Sequence, residues 1–211
     1  MSEAQGHFPV PDRIVLFDLG NVVVDWDPVR LYRQMFATEA DARRFVDNVC
    51  TLDWHVEHDK GVPMVENADR LKAIYPQFSH EIDAWRLRWF DMFDGYVDGT
   101  DLLIERLHEA GRPLYGLSNM PAEVWPDMIE RFPAFKRLRD VVVSGEEGVI
   151  KPDPTIYEIA LARMGNPVPG DVFFIDDSQK NVDAACALGI DAVLFTDASS
   201  LERDLVSRGF L

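Results

Sequence analysis

Polar residues follow four apolar runs of the chain, at the point where each run ends. They are Asp18 after the first run, Ser118 and Asn119 after the second, Lys151 shortly after the third, and Asp176 and Asp177 after the fourth. Ligands of open parallel sheets bind beyond the carboxyl ends of the strands, where neighbouring strand ends lie side by side. If the four runs are strands of one such sheet, these six side chains meet at a single site.

Three of the six side chains are carboxylates, which would repel one another unless a divalent cation lay among them. Hard carboxylate oxygens suit Mg²⁺, which usually binds through a few carboxylates, several waters and a substrate phosphate. Lys151 adds a positive charge and Ser118 a hydroxyl donor, so the set matches a phosphoryl group, whose transfer depends on positioning and charge neutralisation. The carboxylate of Asp18 could then attack phosphorus and form an aspartyl-phosphate, which water would hydrolyse.

Each of these residues also has a simpler structural explanation when it is taken alone. Asp18 could cap a turn after a buried strand, and Ser118 could begin such a turn. Lys151 could be a solvated loop lysine, and the pair Asp176-Asp177 could cap a helix and interact with its dipole. For an acidic pair that ends the run Val-Phe-Phe-Ile, metal binding is the interpretation that we favour.

The 211-residue chain has the composition of a soluble globular protein, with 47% hydrophobic and 27% charged residues. Its net charge of −16 argues against nucleic acid or an anionic membrane as a partner, since both bind clustered Lys and Arg. Cys50 and Cys186 are far apart and predict buried thiols in a reducing compartment. The segment 1–12 lacks a signal-peptide pattern and no run could span a membrane, so we expect a cytoplasmic protein. The expected partner is a small phosphorylated metabolite, and the chain could be a monomer or a homodimer.

The elements that must position these side chains follow from the pattern of apolar residues. Strands and helices alternate after about residue 95, which predicts an α/β fold with a Rossmann-like parallel sheet covered on both faces. The segment 28–94 has a helical pattern, so we expect a helical cap inserted after the first strand, with 12–27 and 95–211 forming the core. Within the cap, Cys50 to Gly61 is predicted to be a polar, aromatic-bearing loop. Its Trp54 could stack on a substrate sugar or anchor the cap core.

The order of these motifs resembles that of the haloacid dehalogenase (HAD) superfamily of hydrolases, in the branch with a helical cap after the first strand. The matching segments are Phe17-Asp18-Leu19-Gly20-Asn21-Val22, Leu117-Ser118-Asn119, Lys151-Pro152, and Phe174-Ile175-Asp176-Asp177-Ser178 with Asn181. The form Asp-Leu-Gly-Asn-Val is similar to a bacterial subgroup that acts on sugar phosphates such as α-glucose 1-phosphate.

The resemblance implies a Mg²⁺-dependent phosphatase in which Asp18 is the nucleophile and Lys151 neutralises the charge of the phosphate. The residues that it implies for Mg²⁺ are Asp18, the carbonyl of Gly20, Asp177, and Asp176, the last either directly or through a bound water. The residues that it implies for phosphate and substrate are Ser118, Asn119, Lys151, Gly20 and Asn21.

Gly20 departs from the pattern of the family, whose phosphatases usually carry a second Asp there as general acid and base. Loss of such a group typically lowers the rate by about 10²–10⁴-fold. Another group could supply the proton, and the candidates are Asp25, Asp27 or a histidine of the cap. For Asp25 and Asp27, solvation of the hinge between core and cap is the competing and slightly favoured interpretation.

Three other functions use related residues. A 2-haloacid dehalogenase attacks carbon with its aspartate and needs no metal, so the pair Asp176-Asp177 argues against it. A phospho-accepting receiver domain shares the acidic pocket, hydroxyl and lysine, but in another chain order and without a large helical insertion. A binding or scaffold protein with this fold and no turnover is a further alternative, to which Gly20 lends some support.

Overall fold

The computed structural model describes residues 13–211. The predicted absence of a signal peptide in 1–12, and the first residue of the predicted core, therefore lie outside the described residues. Within them, no helix is both long enough and apolar enough to cross a membrane.

A five-stranded parallel sheet forms the centre of the protein, and the predicted α/β fold class is confirmed. The strands are β1 (Ile14–Phe17), β2 (Val24–Trp26), β3 (Phe93–Tyr96), β4 (Leu114–Ser118), β5 (Asp140–Val143), β6 (Val172–Asp176) and β7 (Asp191–Leu194). The main sheet has the order β5-β4-β1-β6-β7, so β1 pairs in parallel with β4 on one side and β6 on the other. From β1 the later strands β4 and β5 are added on one side and β6 and β7 on the other. Open sheets of this type bind ligands at the strand where the direction of addition changes.

Eleven α-helices lie among the described residues. They are α1 (Pro28–Arg33), α2 (Glu39–Asn48), α3 (Leu52–Asp59), α4 (Met64–Ile74), α5 (Ser79–Leu87), α6 (Thr100–Glu109), α7 (Trp125–Arg131), α8 (Ser144–Glu147), α9 (Pro154–Arg163), α10 (Gln179–Ala187) and α11 (Ala198–Ser207).

Side chains of the central strands alternate between two hydrophobic clusters, as the two-residue period of a strand requires. Val15 and Phe17 of β1 belong to the cluster that also contains apolar residues of α6 and α11. Ile14 and Leu16 belong to the second cluster, with residues of α9 and α10. Because both faces are covered, the strands are apolar throughout, and polar residues are tolerated where the strands end.

Helices α1 to α5 are inserted between β2 and β3, which pair as a short antiparallel ribbon. The core of this inserted block is aromatic, with Trp85 and Tyr32 almost completely buried. The ribbon was not predicted: the expected boundary between 28–94 and 95–211 falls inside β3, which begins at Phe93. A strand of three or four residues that pairs only with its partner leaves little periodicity in the sequence.

The predicted loop from Cys50 to Gly61 is instead mainly helix α3, and this prediction was wrong. The hydroxyl of Thr51 accepts a hydrogen bond from the Trp54 N–H at 3.1 Å and caps the helix. Because α3 buries polar as well as aromatic side chains, it lacks the apolar stripe that identifies most surface helices. The prediction of two buried thiols is confirmed for Cys50, which is buried, and is wrong for Cys186, which is exposed.

Candidate active site

Asp18 lies directly after β1, and the local backbone fixes its position. Its N–H donates to the carbonyl of Ile175 at 2.8 Å, which ties it to the end of β6. Its Oδ1 accepts the N–H of Leu19 at 2.6 Å and lies 2.9 Å from the Nζ of Lys151. The first predicted site residue is thus a buried carboxyl with a lysine as its immediate partner.

Lys151 is almost completely buried, and its ammonium group has three oxygen neighbours. These are the carbonyl of Leu117 at 3.0 Å, Asp176 Oδ2 at 2.7 Å and Asp18 Oδ1 at 2.9 Å. Burial opposes the charged form of the lysine, but the two carboxylates outweigh it and raise its pKa above the ordinary value. Lys151 therefore remains a cation and joins the ends of β1, β4 and β6.

Asn119 positions the lysine through its backbone. Its Oδ1 accepts the N–H of Lys151 at 2.8 Å, and its Nδ2 donates to the carbonyl of the same residue at 3.1 Å. Asn119 also lines the cavity described below. The side chain that the sequence assigns to phosphate binding thus has a positioning role as well.

Asp176 and Asp177 are adjacent in sequence but differ in their surroundings. Asp176 is completely buried, and its Oδ1 accepts the Ser178 N–H at 2.8 Å and the Asn181 Nδ2 at 3.0 Å. Its Oδ2 accepts the lysine ammonium, so both of its oxygens have donors. Asp177 is exposed. Of the two, Asp177 is the carboxylate that a ligand can reach from solvent.

The carboxylate oxygens of Asp18, Asp176 and Asp177 come within 4.8 Å of one another. Burial raises the pKa of Asp18 well above its ordinary value; Lys151 opposes this, and Asp176 adds to it. A divalent cation among these oxygens would relieve both the desolvation and the repulsion. Oxygen donors of this kind suit Mg²⁺, so the residues fit the metal that the sequence predicts.

A cavity of about 470 Å³ opens over these groups, between the sheet and the inserted helices. On the sheet side it is lined by Asp18, Gly20, Asn21, Ser118, Asn119 and Lys151, all of which the sequence singled out. On the opposite side its walls include Trp26, Leu52, His55, Asp59, Trp89 and Phe93. The cavity thus has a charged floor and a largely aromatic wall, and it is larger than a phosphate ion requires.

Gly20 leaves open space beside Asp18, since a Cβ built there meets no atom within 4 Å. Steric crowding therefore does not explain why this position is glycine. Gly61, just after α3, is different: it has φ +90°, and its Cβ would lie 2.9 Å from the carbonyl oxygen of Gly145. This close backbone contact joins the inserted block to the sheet-bearing core.

Trp54 does not line the cavity. Its ring packs edge-on against His58 and Trp85, with centroid distances of 4.6 and 5.3 Å. Its indole N–H donates to the carbonyl of Asn67 at 3.3 Å. Of the two interpretations that the sequence left open, the structure places Trp54 in the aromatic core of the inserted block.

Neither acid suggested as a substitute proton donor reaches the cavity. Asp25 forms an ion pair with Arg30 at 2.6 Å. Asp27 caps α1 by accepting the Val29 N–H at 2.8 Å. The histidines of the inserted block are better placed, because His55 lines the cavity. His55 and His58 are both buried.

Sequence reasoning missed a buried polar cluster at the end of α3. The Nδ1 atoms of His55 and His58 lie 3.2 Å apart, and His55 Nε2 lies 3.4 Å from Asp59 Oδ1. Burial lowers the pKa of His55 to about 3 and that of His58 to about 4. Burial raises the pKa of Asp59 to about 8, with Lys151 opposing the shift. The four-residue spacing of His55 and Asp59 would have indicated this cluster, had the segment been predicted as a helix.

The comparisons with known proteins agree with this arrangement. Residues 13–189 match the family of haloacid dehalogenase-like hydrolases. A phosphorylated carbohydrates phosphatase of Thermotoga maritima is 24% identical over 85% of this chain and 82% of its own length. A sesquiterpene phosphatase of Aspergillus oryzae is 29% identical over 88% of this chain and 91% of its own length. Two further curated relatives are longer, and the chain spans only 46% and 36% of them.

A solved structure shows the same fold. It is a HAD family enzyme from Bacteroides thetaiotaomicron in complex with magnesium and inorganic phosphate, and it is 22% identical with a TM-score of 0.69. The likeness covers 88% of this chain and 95% of that one. The match to the family extends over most of the chain and contains all four strand-end motifs. The chain belongs to the haloacid dehalogenase-like hydrolases.

Proposed function

We propose that the protein is a Mg²⁺-dependent phosphatase that hydrolyses a small phosphomonoester through an aspartyl-phosphate on Asp18. The observation that carries this proposal is the contact of Asp18 with Lys151 on the floor of a cavity. Asp18 is also one of the three carboxylates that lie close together there. A divalent cation bound to this cluster would assist phosphoryl transfer. The metal-free displacement at carbon that a dehalogenase performs has no use for such a cation.

The positions of the residues, together with the resemblance to the family, support the following roles. Mg²⁺ would be held by Asp18, the carbonyl of Gly20 and Asp177, with Asp176 in support, and would neutralise charge on the phosphoryl oxygens. One oxygen of Asp18 attacks phosphorus, and the ester oxygen leaves on the opposite side. Lys151 stabilises the charge that develops on the phosphoryl group, and the Ser118 hydroxyl donates to it. Water then cleaves the aspartyl-phosphate and restores the carboxylate.

The leaving group of this reaction occupies the aromatic side of the cavity. We propose that 28–94 acts as a cap over 12–27 and 95–211, as its place between β2 and β3 suggests, and excludes water from the site. Trp26 and Trp89 line this side of the cavity. Flat aromatic walls suit the apolar face of a sugar ring. The relative from Thermotoga maritima, named for phosphorylated carbohydrates, supports the same class. A cytoplasmic location remains a prediction.

The test is hydrolysis of an aryl phosphate and a panel of sugar phosphates, with Mg²⁺ and with EDTA. The expected result is Mg²⁺-dependent release of phosphate that Asp18→Asn abolishes. Asp183→Asn is the matched control, because Asp183 is an exposed acid on α10 whose side chain bonds only Gln179 within residues 13–211. Metal-independent halide release from 2-chloropropionate would indicate a dehalogenase. Absence of turnover on every ester would favour a phospho-accepting or non-catalytic protein.

A further inference from the structure

The reaction proposed above needs an acid that the sheet-bearing core does not supply. When the phosphorus–oxygen ester bond breaks, the leaving oxygen of an alkyl or sugar phosphate is strongly basic. A positioned acid that protonates it contributes about 10²–10⁴-fold in rate. Gly20 cannot do so, and Asp25 and Asp27 are engaged outside the cavity. The donor must therefore come from another part of the cavity wall.

Two carboxyl groups of α3 line the cavity, and they differ in burial. Asp53 lies in the first turn of the helix and is exposed, whereas Asp59 lies in the last turn and is 5% exposed. Asp59 Oδ1 has no hydrogen-bond partner within residues 13–211, since its approach to His55 has the distance but not the geometry of a hydrogen bond. A buried polar atom without a partner is costly. Asp59 as a residue lines the cavity, so a bound substrate could bring an oxygen to this carboxyl group.

The surroundings of Asp59 favour its neutral, protonated form. The ionisable groups that face it are His55 on its own helix and Lys151 from the core. Burial outweighs the attraction of the lysine and raises the pKa of Asp59 to about 8. At neutral pH the group therefore carries a proton that it can donate. A carboxylic acid kept neutral by burial is a common solution for a general acid.

We propose that Asp59, on the cap, is the general acid and base that replaces the side chain missing at position 20. In the first step Asp18 bonds to phosphorus, the ester bond breaks with its electron pair on oxygen, and Asp59 gives that oxygen its proton. In the second step water bonds to phosphorus while its proton passes to the Asp59 carboxylate. The bond from Asp18 to phosphorus breaks, and its electron pair returns to the aspartate. Both side chains are then restored, and the products are the alcohol and inorganic phosphate.

The experiment compares leaving groups, and it rests on the proposed phosphatase function. Asp59→Asn is measured on an alkyl phosphate and on 4-nitrophenyl phosphate, whose phenolate leaves without being protonated. The alkyl phosphate should lose about 10²-fold or more in kcat, while the rapid release of nitrophenolate in the first turnover changes by less than about threefold. Glu57→Gln is the matched control, because it makes the same change at a half-exposed position of α3 outside the cavity.

Two further measurements test the role of Asp59 even if Asp59→Asn is poorly folded. Gly20→Asp should restore turnover of the alkyl phosphate in the Asp59→Asn background, because the space beside Asp18 is open. Infrared difference spectra of the metal-free protein should show a protonated carboxyl that disappears in Asp59→Asn and persists in Glu57→Gln.

Three outcomes would contradict the assignment of Asp59. They are equal losses in the first-turnover release of the two leaving groups, unchanged turnover of the alkyl phosphate, and a selective loss in Asp53→Asn instead. Failure of the phosphatase function is recognised separately, because wild-type protein would then release no phosphate from either ester.

Discussion

Lys151 offers a sharp test of the charged floor of the cavity. Lys151→Met removes the ammonium from three oxygens at 2.7–3.0 Å and leaves two buried carboxylates without their cation. Asp176 keeps its bonds from Ser178 and Asn181, but Asp18 keeps only the N–H of Leu19. Breaking a buried pair in this way costs about 3–5 kcal/mol. That is a large part of the ~5–15 kcal/mol by which a domain of this kind is stable.

The measurement is the free energy of unfolding in urea at pH 7 with EDTA, since a bound metal would mask the loss. Lys60→Met is the control: its ammonium pairs with Glu57 at 3.1 Å, and both side chains are 44% exposed. An exposed pair of this kind contributes about 1 kcal/mol at most. Adding Asp18→Asn to Lys151→Met should recover about 2 kcal/mol, because it removes the carboxylate that has lost most of its partners.

Two results would refute this account of Lys151. One is a loss of less than about 1 kcal/mol in the free energy of unfolding, which would mean that Lys151 contributes no more than the exposed Lys60. The other is a double variant no more stable than Lys151→Met. A changed slope of the urea transition would show instead that the unfolded state had changed.

Three further predictions concern the metal, the contact between the inserted block and the core, and pH. Asp177→Asn should raise the Mg²⁺ concentration for half-maximal activity by about tenfold or more, which a metal titration measures. Gly61→Ala should lower both stability and turnover, whereas Gly165→Ala, with the similar φ of +88° and no close neighbour among the described residues, should lower stability alone. The two buried histidines of α3 should lower the free energy of unfolding as the pH falls below 6.5, because the unfolded chain binds protons there that the folded chain excludes. Asp59 should lower it as the pH rises toward 8, because the folded chain retains a proton that the unfolded chain has lost, and Asp18, whose pKa is also raised, acts in the same direction. Urea unfolding from pH 5 to 8 tests this, and Asp59→Asn should reduce the decline at high pH.

The sequence predicts the floor of the cavity well, because that floor depends on local pattern. Apolar strands buried on both faces are easy to recognise, and a polar residue directly after such a strand is conspicuous. The sequence alone therefore predicts that Asp18, Ser118 and Lys151 lie together, and all three line the same cavity in the structure. Parallel topology supplies the remaining step, since it sets the strand ends side by side.

The wall of the cavity could not be predicted in the same way, because it depends on how the inserted helices pack on the core. Trp54 and Trp89 both belong to the inserted block, yet one lies in its aromatic core and the other lines the cavity. Asp59 has no neighbouring motif, and it is buried close in sequence to the contact of Gly61 with the core. The segment suggested a loop because the buried face of α3 carries His55, His58 and Asp59 in place of apolar residues.

The placement of the tryptophans gives the protein optical probes of its own. The chain has five, and only Trp26 and Trp89 line the cavity. Indole emission depends on the polarity around the ring, so a leaving group that displaces water from these two rings changes the fluorescence before any bond breaks. Replacing Trp125, which packs on Phe135 away from the cavity, removes part of the background. Binding of candidate alcohols is then observable in isolation, and they can be ranked by affinity in Asp18→Asn, which we expect to be inactive.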